Sequence, residues 1–188
     1  MYTKKQSLSA IFLLACYWAV PVVAADSKAG EEKAAMCAGC HGQGGKSTNP
    51  QWPNLAAQQQ AYIVKQLEAF KSETRKNPMM QGMAASLSND DIANLAAYFS
   101  SQAAAKAGGD PTLEKAGQEK AAMCLGCHGQ TATGNGQIPR LAGQHPEYLV
   151  TQLKNFKSGD RQSGHMQAIA GTLSEEDMKA LAAYFGSL

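Results

Sequence analysis

Four of the five cysteines in this 188-residue chain lie in two Cys-x-x-Cys-His motifs, Cys37/Cys40/His41 and Cys124/Cys127/His128. Two thiols three positions apart can bond to the two vinyl-derived positions along one edge of a porphyrin. The adjacent histidine is then brought beneath the ring, where its Nε2 reaches the iron. This spacing is typical of covalent haem c attachment, so each motif predicts one haem group.

Three other uses of the Cys-x-x-Cys pairs remain open from the motif alone. A thioredoxin-like redox pair expects a βαβ setting and would not explain a histidine in both motifs. A zinc site would need all four thiolates to converge from two distant parts of the chain. Structural disulfides are possible in an exported protein, although such short loops are strained.

A second haem motif arises because most of the chain is a repeat. Residues 34–43 return at 121–130, and residues 53–99 match 139–185 without a gap. The longer match contains 23 identities in 47 positions, which is too many for coincidence.

The repeat predicts two domains, residues 26–103 and 112–188. The segment between them, 104–111, contains mostly small and polar residues that suit a linker. Each domain carries seven basic and seven acidic side chains. This balance of charge argues against binding to nucleic acid, which would need a basic stripe.

Residues 1–25 are predicted to be a cleaved export signal. A basic start at Lys4-Lys5 precedes an apolar run over 8–23 and a small-residue cleavage site before Asp26. One alternative is a retained anchor helix. Another is a lipid anchor on Cys16, since the residues before it loosely resemble a lipoprotein processing site.

The chain that follows the signal is short of residues that build a core. Leu, Ile, Val and Phe account for 22 of the 163 residues in 26–188, or about 13%, and chains below roughly 20% usually bury too little apolar surface to fold. The 15 positive and 15 negative side chains balance, which argues against disorder. A large apolar cofactor in each domain would supply the missing core.

Each domain has the periodicity of helices, and no stretch alternates for long enough to be a strand. First helices are expected to begin at Ser27 and at Pro111 and to lead to the cysteine motifs. Apolar spacing predicts a middle helix, and capping boxes at Ser88/Asp91 and Ser174/Asp177 predict a closing helix. The fold class is therefore all-α in both domains.

Haem iron in electron carriers usually has a second axial ligand, and methionine raises the reduction potential. The repeat places Met166 opposite Met80, each in an irregular segment eight residues before the serine that caps the last helix. We therefore predict Met80 and Met166 as sixth ligands. In the first half the alternatives are Met79 and Met83, neither of which aligns with a methionine. In the second half the alternative is His165, because bis-imidazole haems also exist.

Other residues are candidates for supporting roles. A backbone carbonyl at Pro53 or Pro139 could accept the second imidazole N–H, although an ordinary turn is the alternative. Arg75 and Arg161, five residues before the methionines, could pair with haem propionates or be solvated. His145 aligns with a glutamine and is expected at the surface.

Each domain resembles a class I cytochrome c in its haem motif, Pro-x-Leu segment, methionine and closing amphipathic helix. Two such units in one exported chain resemble the di-haem cytochrome c4 family over nearly all of residues 26–188. The resemblance implies two cytochrome c domains related by a pseudo-twofold axis, with their propionate edges near each other. It implies covalent haem at Cys37, Cys40, Cys124 and Cys127 and axial iron ligands at His41, Met80, His128 and Met166.

The same resemblance implies a periplasmic one-electron carrier, often associated with the outer face of the inner membrane. It would pass electrons from a bc-type complex or a dehydrogenase toward a haem–copper terminal oxidase of the cbb type. The alternative is a haem subunit that accepts electrons within a larger dehydrogenase complex. A di-haem peroxidase would need an open or displaceable site on one iron, and two matched methionines argue against any such enzyme.

Overall fold

The computed structural model describes residues 25–188 and is helical in both halves of that range. In chain order the helices are α1 Ser27–His41, α2 Gln60–Lys71, α3 Pro78–Ala85, α4 Asn89–Ser101, α5 Pro111–Lys120, α6 Ala122–His128, α7 Pro146–Ser158, α8 Gly164–Gly171 and α9 Glu175–Ser187. A 3₁₀ turn, Gln43–Gly45, follows α1. Within 25–188 the only β-type pairing is an isolated bridge between Asn135 and Ile138. The predicted all-α fold class is confirmed.

The predicted signal segment lies outside the described residues, except for Ala25. Cys16 and the possible anchor helix belong to that undescribed part. Among the helices from residue 25 onward, none is long and apolar enough to cross a membrane.

Side-chain caps fix where the main helices begin. Asp26 and Asp110 each accept hydrogen bonds from two backbone N–H groups of the following turn, at 2.8 and 3.3 Å in both cases. These contacts satisfy N–H groups that a helix start would otherwise leave unpaired. The predicted capping boxes are also present at the starts of α4 and α9, in the pairs Ser88/Asp91 and Ser174/Asp177.

The methionine segments are not irregular, as the sequence had suggested, but form the short helices α3 and α8. Asn77 explains the first of these, because its side chain accepts a hydrogen bond from the Met80 N–H at 3.0 Å. Pro78 occupies the first helical position, where its fixed φ favours a helix and its missing N–H costs nothing. Met80 and Met166 therefore lie in the first turns of helices, which limits their positions more than a loop would.

The first and last helices of each half pack directly on each other, α1 on α4 and α5 on α9. Gly30 and Gly117 lie at these crossings. A Cβ at either position would come within 2.0 Å of a backbone oxygen on the facing helix, that of Asn94 or of Ala180. Only glycine permits such a close approach. These helix pairs position both cysteine motifs, because the first motif lies in the last turns of α1 and the second lies in α6, which follows α5.

The segment that joins the halves has no regular secondary structure over residues 103–110, but its backbone is bound. The Ala107 N–H donates to the Gly143 carbonyl at 3.3 Å, and the Gly108 N–H donates to the Gly186 carbonyl at 2.9 Å. The segment thus packs against the second half. The predicted linker, 104–111, overlaps α5 by its last residue, Pro111.

Gly30→Ala is expected to destabilise the holoprotein by about 2 kcal/mol or more, since overpacking at a backbone contact must push α1 away from α4. Gly39→Ala is the matched control in the same helix, because its added Cβ meets nothing within 4 Å. The control should leave stability unchanged or raise it by up to about 1 kcal/mol. Urea unfolding of both variants measures the difference, and equal stabilities would contradict the proposed crossing.

Candidate haem-binding sites

Each motif histidine is buried at the end of a helix and bonded to a proline carbonyl. His41 Nδ1 lies 2.9 Å from the Pro53 oxygen, and His128 Nδ1 lies 2.8 Å from the Pro139 oxygen. A carbonyl can only accept, so each Nδ1 carries the hydrogen and each Nε2 keeps its lone pair for a metal. The hydrogen bonds predicted at the two prolines are therefore confirmed, and they fix the tautomer and the ring orientation.

Burial also determines the charge of these imidazoles. It lowers the pKa of both His41 and His128, although the hydrogen bonds to the proline carbonyls act in the opposite direction. Both side chains are therefore neutral at neutral pH, which is the form that binds iron.

None of the four motif cysteines takes part in a disulfide. Burial raises the pKa of Cys37 and of Cys124, and the neighbouring cysteine of each motif adds to the effect. Redox-active Cys-x-x-Cys pairs have the opposite property, a thiolate stabilised at low pKa. The thiols thus do not resemble a thioredoxin-like pair.

The zinc alternative requires acidic, histidine or cysteine side chains to converge. Among the described residues, 25–188, no group of three or more such side chains is placed to hold a metal ion. Each half instead offers two free thiols, a neutral imidazole with its Nε2 available, and a methionine sulfur in the following short helix. This donor set fits covalent haem c.

The methionines differ in exposure in the way the repeat predicts. Met80 packs against the first core together with Cys37, whereas Met79 is 60% exposed. In the second half Met166 is half-buried and His165 is exposed. A side chain that faces solvent is poorly placed to bind an iron inside the domain, so burial favours Met80 and Met166.

Arg75 connects the first half to the second. Its Nη2 donates to the Tyr148 hydroxyl at 3.1 Å and to the Gln152 side-chain oxygen at 2.9 Å. Its guanidinium lies 4.5 Å from the ring centre of Phe70, a cation–π contact within its own half. The alternative that this arginine is solvated is wrong, because its polar atoms are used in the contact between the halves.

Arg161 makes the same contacts in the opposite direction. Its Nη2 donates to the Tyr62 hydroxyl at 2.7 Å and to the Gln66 side-chain oxygen at 3.0 Å, and it lies 4.6 Å from the ring centre of Phe156. Every partner is 86 positions from its counterpart, so the halves meet in an isologous, pseudo-twofold contact. Within residues 25–188 neither arginine pairs with a carboxylate. A contact with haem propionates stays a prediction.

Sequence reasoning missed two buried glutamines in this contact. Gln144 accepts from the Asn54 backbone N–H at 2.8 Å and donates to the Asn54 carbonyl at 3.0 Å. Gln58 bonds to Arg140 in the same way, at 2.7 and 3.0 Å. The available signal was that both repeats carry a glutamine at the same position, three residues after the leucine of the Pro-x-Leu segment.

His145 is not the surface residue that the alignment suggested. It is half-buried, and its Nε2 donates to the Ser47 carbonyl of the first half at 2.9 Å. Its counterpart Gln59 donates to the Thr133 carbonyl at 2.8 Å. The gap-free alignment pairs this histidine with a glutamine, and the structure shows that the two side chains make equivalent contacts across the pseudo-twofold axis.

Family models match both halves of the chain. A model described as cytochrome c matches residues 27–103, and a model described as cytochrome c oxidase, cbb3-type, subunit III, matches residues 112–185.

Full-length relatives and solved structures are also similar. Cytochrome c4 of Azotobacter vinelandii is 37% identical over 189 residues, which cover 88% of this chain and 90% of that protein. A thiosulfate dehydrogenase electron acceptor of Thiomonas intermedia is 32% identical over 201 residues. This match covers 97% of this chain and 91% of that protein. The crystal structure of reduced recombinant cytochrome c4 from Pseudomonas stutzeri matches with a TM-score of 0.83 at 37% identity, covering 88% of this chain and 100% of that one. With two cytochrome c domains, each of which binds a covalently attached haem c, the chain belongs to the cytochrome c4 family of di-haem electron carriers.

Proposed function

We propose that the two halves, residues 26–103 and 112–188, each hold one haem iron between a histidine and a methionine. Two thioethers attach each haem, and the residues involved in the two halves are Cys37, Cys40, His41 and Met80, and Cys124, Cys127, His128 and Met166. The observation that carries this proposal is the matched pair of histidine–proline hydrogen bonds at 2.9 and 2.8 Å. Both leave Nε2 as the free donor on a buried, neutral ring.

When bound, each haem supplies a one-electron redox centre. The chain's own residues keep that centre rigid. The proline carbonyls hold the imidazole rings, while the first turns of α3 and α8 hold the methionine sulfurs. A histidine and a methionine that both bound the iron would leave no position for a substrate, and such a site would suit outer-sphere electron transfer.

The function proposed is that of a periplasmic carrier, peripheral to the inner membrane, which passes single electrons between redox proteins. A bc-type complex or a dehydrogenase would be the donor, and a terminal oxidase would be the acceptor. The predicted export signal supports the compartment. Similarity to cytochrome c4 proteins over most of the chain supports the role of a carrier.

One observation favours a second candidate, a haem protein dedicated to a single dehydrogenase. A relative that covers 97% of this chain is named as an electron acceptor of thiosulfate dehydrogenase. The two candidates share the same haem chemistry, and they differ in whether a single dehydrogenase is the only donor. Here the dehydrogenase, rather than a bc-type complex, would reduce the protein.

The axial ligand is tested by Met80→Ala with Met79→Ala as the matched control. Loss of the Met80 sulfur should abolish one of the two sulfur-to-iron charge-transfer bands and lower one reduction potential, since thioether ligation favours ferrous iron. The control should keep both bands, because Met79 is 60% exposed. The opposite pattern, with Met79→Ala alone removing a band, would assign the wrong methionine.

The carrier role is tested by carbon monoxide binding to the reduced holoprotein at neutral pH. Two filled coordination spheres predict slow or absent binding and negligible peroxidase turnover. Met80→Ala serves as the positive control, since it opens one iron and should bind carbon monoxide stoichiometrically. Rapid binding by the unmodified protein would favour the peroxidase alternative over the carrier.

The donor is identified by mixing the oxidised holoprotein separately with a quinol-reduced bc-type complex and with thiosulfate dehydrogenase plus thiosulfate. Fast haem reduction by the first and not the second supports the general carrier. The reverse result would assign the protein to the dehydrogenase. Absorbance of the reduced haem measures both reactions.

A further inference from the structure

One peptide group in each half makes hydrogen bonds through both its carbonyl and its N–H. The carbonyl bonds to a motif histidine, and the N–H bonds to a side chain of the other half. The carbonyl of the Pro53–Asn54 peptide accepts from His41 Nδ1 at 2.9 Å. The N–H of that same peptide donates to the side-chain oxygen of Gln144 at 2.8 Å. A single planar amide therefore connects the imidazole of the first half to a side chain of the second.

The second half repeats this arrangement with the roles exchanged. The Pro139–Arg140 peptide accepts from His128 Nδ1 at 2.8 Å and donates to the Gln58 side-chain oxygen at 2.7 Å. Each glutamine thus reaches across the pseudo-twofold axis to the peptide that orients the histidine of the opposite half.

We propose that Gln58 and Gln144 are positioning residues that set the reduction potential of the haem in the opposite half. The proposal rests on the proposed function, in that His41 and His128 are taken as the iron ligands. Neither glutamine touches the haem-binding groups directly. Each acts through the peptide that holds the imidazole.

The physical link is the polarisation of the amide. An acceptor on the peptide N–H draws positive charge to nitrogen and negative charge to the carbonyl oxygen, so the two hydrogen bonds strengthen each other. A more negative Pro53 oxygen accepts more strongly from His41 Nδ1, which makes the imidazole a better electron donor to iron. Better donation stabilises ferric iron, so Gln144 lowers the potential of the first haem.

Burial makes this link effective. Gln144, Gln58 and Asn54 are only 5%, 6% and 6% exposed, so water cannot take the place of a lost side-chain acceptor. Each glutamine amide also donates back to the carbonyl of the residue whose N–H it accepts, at 3.0 Å in both halves. These two bonds to one residue fix the orientation of the glutamine side-chain amide.

The two links are not identical. In the first half the Asn54 side chain adds a bond across the axis, from its Nδ2 to the Gly143 carbonyl at 2.9 Å. Its counterpart Arg140 instead uses Nε within its own half, donating to the Ala142 carbonyl at 2.9 Å. The residue after the proline is therefore held to the other half by one bond more in the first half than in the second.

The test is Gln144→Met in the full-length di-haem protein. This change keeps the side-chain volume and removes both hydrogen bonds to Asn54, together with the 3.1 Å bond that the Gln144 side-chain oxygen accepts from the His145 N–H. The potential of the first-half haem should rise while that of the second-half haem stays constant. The equilibrium ratio of reduced first haem to reduced second haem should increase by about threefold. Because a tenfold change corresponds to 59 mV for one electron, the reduction potential of the first haem should rise by roughly half of that value. Gln58→Met should raise the potential of the second-half haem instead.

Haem methyl resonances followed by NMR through a redox titration report the two haems separately. The Asn54 amide resonance of the reduced protein provides an independent readout, since it should move upfield in Gln144→Met and stay in place in Gln58→Met. Gln59→Met is the matched control, because the Gln59 side chain lies in the same contact but donates to the Thr133 carbonyl, at 2.8 Å, and not to a peptide that holds a motif histidine. It should produce no shift confined to one haem.

A shift confined to the haem of the opposite half supports the proposal. No shift, a shift in the glutamine's own half or equal shifts in both halves would overturn it. If Gln144→Met does not fold, Gln144→Asn, which is one methylene too short to keep both bonds, should produce the same crossed shift. In every variant, two covalent haems and intact charge-transfer bands show that the histidine–methionine ligation stands. Loss of these signals would count against the proposed function, whereas intact signals without a crossed shift would count against this proposal.

Discussion

The hydrogen bond from each motif histidine to a proline carbonyl is the interaction on which the rest of the molecule depends. It requires α1 and α6 to end at the histidines, and it requires the chain to return to the same place at Pro53 and Pro139. In return it fixes the tautomer and keeps Nε2 available on an imidazole that burial holds neutral. Without it, the imidazole ring could turn, and its Nε2 would have no defined position relative to the two cysteines and the methionine.

The contact between the halves is built around these same prolines. The residues directly after them, Asn54 and Arg140, are the ones that Gln144 and Gln58 bind. Further along the axis, Arg75 and Arg161 each reach the tyrosine and glutamine of the other half. The halves are therefore joined by directional, buried polar contacts rather than by apolar surface alone, which fixes one orientation of the two haem sites. A fixed orientation is what electron exchange between two centres requires.

Much of this could be predicted from the sequence because the features are local. The motifs, the helix starts at Ser27 and Pro111, the capping boxes and the proline carbonyls all follow from residues close together in the chain. Comparison of the halves selects Met80 and Met166 from several methionines, and their role as iron ligands stays a prediction. The short helices α3 and α8 were not expected, because the start of α3 depends on a single side-chain cap at Asn77 and α8 begins after Ser163 without a side-chain cap. Gln58, Gln144 and His145 could not be assigned, since the repeat aligns equivalent residues within each half and is silent on which residues meet across the axis.

The central claim is that both imidazoles are oriented by proline carbonyls inside the protein. Proton NMR of the reduced, diamagnetic holoprotein tests it directly, because an Nδ1 hydrogen held in a buried bond exchanges slowly with water. We expect two slowly exchanging imidazole Nδ1–H resonances, one close in space to protons of Pro53 and the other close to protons of Pro139. The account would be contradicted if either resonance were lost to rapid solvent exchange or showed proximity to a different segment of the chain.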